Sequence, residues 1–259
     1  MKIKLFIVLI FVLLFRPEYT FADDINISAK AAIVIDFDSG EIVFDKNAFI
    51  SLPPASTTKI LTAITVIEAM PLDAICSVSA KAEAVDEASI YLTQGQSFTV
   101  LDLLYAAMLK SANDACFCLA ENFAGSEEFF VKLLNWKAFA IGATSSILKN
   151  TNGLPHPEHK MSAYDLGIIS RYAMKNPVFA EICQTKNVYL SDGRYIKNIN
   201  KLLNYDGSYV GIKTGTTNEA GPCLASAQKQ GNKCYIAVVL NSHDRYGESI
   251  KLLNSAFDH

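Results

Sequence analysis

The stretch "LPPASTTKILTAITVIEAM", Leu52 to Met70, sets two prolines before a polar cluster and follows it with an apolar run. Pro53 and Pro54 fix the backbone where a helix begins, because proline's locked φ suits a first turn and its missing N–H is no loss there. From Ile60 to Met70 apolar side chains fall on nearly every face, the pattern of a helix buried at the centre of a fold. Such burial carries Lys59 inward. A buried ammonium is costly unless something uses it. Ser56 stands three residues earlier, and on a helix positions i and i+3 share a face. A desolvated amine gives up its proton more readily, so Lys59 can serve as base toward the Ser56 hydroxyl. The helix N-terminus adds free N–H groups suited to an oxyanion.

Working outward, "AAIVIDFDSGEIVFDKNAF" (31–49) reads as two strands around a turn at Asp38-Ser-Gly40. Residues 94–125 hold a turn, a short strand and two helical runs that separate near Ser111-Ala-Asn-Asp114, with Gly125 as C-cap. "SEEFFVKLLNWKAFAIG" (126–142) is an amphipathic helix capped by Ser126 and stopped by Gly142. "KNTNGLPHPEHKMS" (149–162) is a long Pro/Gly/Asn loop, of a length usually kept for function. Ser162 to Met174 is helical again. The C-terminal part reads as strands joined by tight turns, and "RYGESIKLLNSAF" closes as a helix. Strands at both ends and helices between them give a mixed α/β design, a sheet built from N- and C-terminal segments with a helical insertion.

Ser-x-x-Lys alone is a weak signal, since Ser146/Lys149 and Ser226/Lys229 match it too. In a strand, residues three apart point to opposite faces, which removes the Ser226 copy. Ser146 precedes a loop and begins no buried helix. Ser111 and Asn113, the chain's one Ser-x-Asn, add a hydroxyl and an amide at a helix junction. "KTGTT" (213–217) falls on an expected edge strand and adds Lys213, the hydroxyls of Thr214 and Thr216, and Gly215 for close backbone approach. Each of these has an ordinary reading, as a helix cap or a strand ending in a turn. Their order and spacing make the stronger case.

This trio, with "LPPASTTKILTA", "LKSANDACFCLAE", "NGLPHPEHKMSAYDLGIISRYAM" and "GIKTGTTNEAGPCLASA", resembles the low-molecular-mass D-alanyl-D-alanine carboxypeptidases over roughly residues 29 to 255. These are penicillin-binding serine peptidases of the bacterial cell wall. The resemblance implies a β-lactamase/transpeptidase-like fold, an antiparallel sheet flanked by helices with a helical subdomain inserted over about 65–190. It implies Ser56 as acyl-enzyme nucleophile, Lys59 as proton acceptor and Ser111 as relay to the leaving D-alanine. Asn113 would hold the substrate amide, and Lys213 with Thr214 would bind the terminal carboxylate, with a further contact from Arg245. Backbone N–H groups of Ser56 and Thr216 would form the oxyanion hole, and Asp165 would be a structural acid beneath the site. The implied partners are a peptidoglycan stem peptide ending in D-Ala-D-Ala and β-lactams as covalent inhibitors. A monomer with neither cofactor nor metal is expected. Family members often carry a second, β-rich domain and an amphipathic anchor helix, for which the sequence leaves little room after the catalytic domain.

Rival readings differ in specific residues. A D,D-endopeptidase shares the nucleophile and cuts cross-links. A class A β-lactamase needs a deacylating Glu, and the loop offers Glu158 without that family's flanking pattern. A non-catalytic β-lactam sensor would not need Lys59 and Ser111 intact. A zinc site at His156 and His159 is opposed by Pro155 and Pro157, which prevent the helix it requires and leave an exposed loop.

At the N-terminus, Lys2 and Lys4 precede an eleven-residue apolar run, Leu5 to Phe15, and Thr20-Phe-Ala22 resembles a cleavage site. Eleven residues are too few to span a bilayer, which takes about 20. Residues 1–22 therefore read as a signal peptide and 23–259 as the exported D,D-peptidase domain, acting in the periplasm or at the outer face of the cytoplasmic membrane. The formal net charge of −3, with no basic run, argues against nucleic acid. Six cysteines in an exported chain invite disulfides, yet their flanks are apolar and a domain of this size needs no staples. Buried free thiols are expected. A turn near Gln230-Gly231 would set Cys223 opposite roughly Val238 and Cys234 opposite roughly Ala227, keeping those two sulfurs apart.

Overall fold

The computed structural model describes residues 25–258. The expected signal peptide lies outside them. The first hairpin forms as read: β1 (Ala31–Asp36) and β2 (Ile42–Lys46) pair antiparallel, with Val34 opposite Phe44. Asp36 holds its turn by accepting the backbone N–H groups of Asp38 and Ser39, the local bond that makes Asp a turn residue. After β3 (Ser51–Leu52) the chain makes a 3-10 turn, Ala55–Thr58, and enters α1 (Lys59–Ile67), in which every residue through Val66 is buried.

Next come β4 (Ile75–Ser77), α2 (Ala80–Glu83), β5 (Ser97–Thr99) and α3 (Val100–Tyr105). A π-helical turn, Ala106–Lys110, leads to Ser111 and then to α4 (Asn113–Ala124). In α5 (Glu127–Ile141), Ser126 caps the start by accepting from Phe129 N–H, and Gly142 ends the helix in the left-handed conformation. The loop after it runs to β6 (Met161–Ser162) and α6 (Ala163–Met174), capped by Ser162. The sequence reading did not anticipate α7 (Pro177–Gln184), or the hairpin of β7 (Asn187–Tyr189) and β8 (Tyr195–Lys197). The chain closes with β9 (Tyr209–Thr217), β10 (Gly221–Gln230), β11 (Lys233–Leu240) and α8 (Arg245–Phe257).

The main sheet is antiparallel in the order β2-β1-β11-β10-β9, so the first strands join the last across the whole chain. It is buried on both faces. Ile33 and Ile35 of β1 meet the helical body, where Gly167 of α6 brings its backbone against the Ile33 side chain, while Ala32 and Val34 meet Leu252 and Leu253 of α8. Each fully buried Ile is worth about 2 kcal/mol of transfer energy, so the period-two alternation specifies register strongly. β9 lies at the open edge, as expected.

The β10–β11 register differs from the expected one by two positions. Gln230 pairs with Lys233 and Lys229 with Cys234, because the turn occupies Gly231 and Asn232. The conclusion about the sulfurs stands, since all six cysteines are free thiols, five buried and Cys234 half-buried.

Candidate active site

Three backbone elements bring the predicted residues together. The first is the 3-10 turn at the start of α1. In a 3-10 turn residues i and i+3 eclipse, which aligns Ser56 with Lys59 more closely than an α-helix would. The Lys59 ammonium donates to Ser56 Oγ at 2.9 Å, to Asn113 Oδ1 at 2.8 Å and to the Asn152 carbonyl at 2.7 Å, which uses all three of its protons. Burial lowers the Lys59 pKa to about 8, against the opposing pull of nearby groups including Glu87 and Asp114. At pH 7 that leaves roughly a tenth of the amine neutral, about 300-fold more than for a free lysine.

The second element is the junction before α4. The π turn ends at Ser111, which takes φ +68° and lines the cleft. Asn113 is anchored by its own backbone N–H to the Ala88 carbonyl (2.6 Å) and by Nδ2 to the Asp86 carbonyl (3.1 Å). Asp114 straps the same loop, accepting from Ser89 Oγ and from the N–H groups of Ile90 and Leu92. The sequence reading passed over Asp114, although a carboxylate buried directly after Ser-x-Asn demands donors of its own.

The third element is edge strand β9. Pro222 faces Thr216 and turns its carbonyl the other way, to Ser242 N–H. This makes Thr216/Pro222 a non-hydrogen-bonded pair, so the Thr216 N–H points off the sheet edge. Gly215 passes against the start of the Ser56 turn. Arg245, the first residue of α8, donates to the Gly215 carbonyl at 2.9 Å and to Thr216 Oγ1 at 2.7 Å.

These elements enclose a cleft of about 180 Å³ lined by Ser56, Ser111, Asn113, Thr214, Gly215, Thr216 and Arg245. The two lysines stand behind that lining. Lys213 is fully buried and donates to the Thr214 carbonyl at 2.9 Å. Burial, then the charge of Lys59, holds the Lys213 pKa well below its ordinary value. Glu87 also lines the cleft, a position no sequence pattern marked. Asp165 ties down the turn at Ser145 and Ser146.

The loop at 149–162 differs from the expected exposed segment. Asn152, Gly153 and His159 are buried, and His159 Nε2 lies 3.0 Å from Thr58 Oγ1. His156 remains exposed, so the two histidines do not converge on one site. Glu158 is exposed and paired with Lys149 at 2.9 Å. Ser146 donates to Asp165, and Ser226 Oγ is buried in β10 against the Ala237 carbonyl, so neither shares the surroundings of Ser56.

Chemically, the cleft pairs a serine hydroxyl with a lysine of depressed pKa beside the Thr216 N–H at a sheet edge, the equipment of serine acyl transfer. The chain belongs to the D-alanyl-D-alanine carboxypeptidase family, peptidase family S11, whose model matches residues 18–244. It is 34% identical over 241 residues to the D-alanyl-D-alanine carboxypeptidase DacF of Bacillus subtilis, a match covering 88% of this chain and 62% of that protein. It thus spans about three fifths of the length of that relative. Among solved structures it is similar to a single-residue variant of the Streptomyces K15 DD-transpeptidase, with TM-score 0.86, 27% identity, and 91% and 100% of the two chains covered. It is also similar to penicillin-binding protein D2 of Listeria monocytogenes in the ampicillin-bound form, with TM-score 0.83, 28% identity and the same coverage. Among the described residues no helix is long and apolar enough to cross a membrane.

Proposed function

We propose that this chain is an exported serine D-alanyl-D-alanine carboxypeptidase, which removes the terminal D-alanine from peptidoglycan stem pentapeptides and is acylated by β-lactams. The observation that carries this reading is the triple bond set of Lys59, which joins the Ser56 hydroxyl to Asn113 through one buried amine. In its neutral form Lys59 takes the Ser56 proton as Oγ attacks the penultimate D-alanine carbonyl. The N–H groups of Ser56 and Thr216 hold the oxyanion. The C–N bond then breaks, Ser111 passes a proton to the departing amine, and water hydrolyses the ester on Ser56. Asn113 holds the substrate amide.

Arg245 and the hydroxyls of Thr214 and Thr216 read the terminal carboxylate, with the Lys213 amine buried behind them. Support comes from the exposure of Arg245 to the cleft and from the burial of Lys213. A cleft of about 180 Å³ also suits one small residue better than a cross-linked stem. Glu158 does not line the cleft, which speaks against deacylation in the manner of a class A β-lactamase.

The test is product analysis on a pentapeptide and on a cross-linked dimer, with the Ser56→Ala variant as control. Free D-alanine should appear at the higher specificity constant from the pentapeptide, and Ser56→Ala should release none. Faster cleavage of the dimer would make the protein an endopeptidase.

A further inference from the structure

The residue before the nucleophile is held in an unfavourable conformation. Ala55 has φ +50°, a left-handed value that a side chain with Cβ resists, and it persists only where surrounding contacts hold it. One such contact is Thr58, whose Oγ1 donates to the Ala55 carbonyl at 2.8 Å. The single Thr58 proton is thereby used. His159 Nε2, 3.0 Å from the same oxygen, must then be the donor of that contact.

The other ring nitrogen agrees. His159 Nδ1 accepts the Lys149 N–H at 3.3 Å, which requires Nδ1 to be bare and the proton to sit on Nε2. A continuous chain results, from Lys149 N–H through the imidazole and the Thr58 hydroxyl to the Ala55 carbonyl. The ring is buried. The same loop supplies the Asn152 carbonyl to Lys59 and runs Gly153 against the Ala55 carbonyl. One imidazole thus ties the base of that loop to the turn that aims Ser56.

We propose that His159 is a positioning residue for Ser56: acting through Thr58, it holds Ala55 in the turn that presents the nucleophile to Lys59. The proposal rests on Ser56 being the acylated residue. It assigns His159 no contact with substrate, and so its loss should slow acylation and leave the preceding binding step alone.

The experiment is stopped-flow acylation by a fluorescent penicillin, resolved into noncovalent Kd and acylation rate, with Tm measured for every variant. His159→Leu and Thr58→Val should each slow acylation by about 10- to 100-fold, the cost of a nucleophile held slightly out of place, while Kd stays within about twofold. His159→Gln, which keeps a donor toward Thr58, and Thr58→Ser, which keeps the hydroxyl, should regain most of the lost rate. The double variant His159→Leu/Thr58→Val should be no slower than the slower single variant, because both remove one chain. Near-parent acylation in the Leu and Val variants, multiplied losses in the double variant, or a loss confined to Kd would each overturn the proposal. Should His159→Leu not fold, the Thr58→Val and Thr58→Ser pair decides. A parent enzyme that is not acylated at Ser56 would instead sink the functional reading itself.

Discussion

Gly215 and Ser56 meet backbone to backbone: a Cβ added at Gly215 would stand 2.8 Å from the Ser56 amide nitrogen. The nucleophile turn and the sheet edge therefore have no side chain between them. The two proposed oxyanion donors belong to Ser56 and to Thr216, next to Gly215, so this contact sets their spacing. Gly215→Ala should push β9 away from the turn and cut the acylation rate by about 100-fold, in the range measured for loss of an oxyanion donor. Far-ultraviolet circular dichroism should stay unchanged. Acylation near the parent rate would mean that the spacing is set elsewhere.

Gly153 is needed more severely. It has φ +86°, and an added Cβ would fall 1.9 Å from the Ala55 carbonyl oxygen. Gly193 has nearly the same φ, +85°, with nothing within 4 Å. Gly193→Ala should thus cost about 1 kcal/mol for backbone strain alone, and Gly153→Ala about 3 kcal/mol or more. Urea titration of both variants separates strain from collision. Equal losses would show that the 153 segment simply moves aside.

Burial brings the Lys59 pKa down to about 8. The base form gains population as pH rises, so the acylation rate should climb roughly tenfold per unit below pH 8 and level off above it. Lys59→Arg supplies no neutral base, because guanidinium keeps its proton, and should lose about 100-fold or more. A flat profile between pH 6 and pH 9 would remove Lys59 from the role of base.

Arg245 lines the cleft and Lys213 does not. Amidating the substrate's C-terminus should therefore cost the parent enzyme activity and cost Arg245→Leu little more. Lys213→Met should be slow on both substrates and still prefer the free carboxylate. A preference lost in Lys213→Met and kept in Arg245→Leu would assign the carboxylate to the lysine.

The thiols should divide by burial. Burial raises Cys76, Cys116, Cys223 and also Cys234 to about 11, and Cys118 to about 12, so little thiolate forms at neutral pH at any of them and solvent access makes the division. In denaturant without reductant, thiol titration should count all six cysteines of the chain. In the native protein only half-buried Cys234 should react within minutes. A denatured count of four or fewer would reveal a disulfide that this packing does not contain.

Local chemistry was enough to read much of this protein from its amino acids. The β1–β2 hairpin, the buried α1, the Ser126 and Gly142 ends of α5, and the placing of Lys-Thr-Gly on a strand all depend on residues within a turn or two of one another. So does the alignment of Ser56 with Lys59. Packing at long range decided the rest. Lys59 takes its third bond from the backbone carbonyl of Asn152, and a carbonyl is present at every residue, so no side-chain pattern announces it. His159 sits in a polar, proline-rich loop and is buried only because that loop folds back over the 3-10 turn. The two-position difference in the β10–β11 register is instead local in origin. Side-chain alternation has period two and permits either pairing, so the turn at Gly231 and Asn232 makes the choice. Lys213 was recognisable as a cation by residue type, but its place behind the cleft lining follows from the packing of β9 against the helical body, which sets it near Lys59, Cys116 and Cys183. Residue types near in sequence announce a nucleophile and its base, whereas the atoms that hold them in register come from segments about 100 residues away, where only the packed fold determines which backbone groups meet.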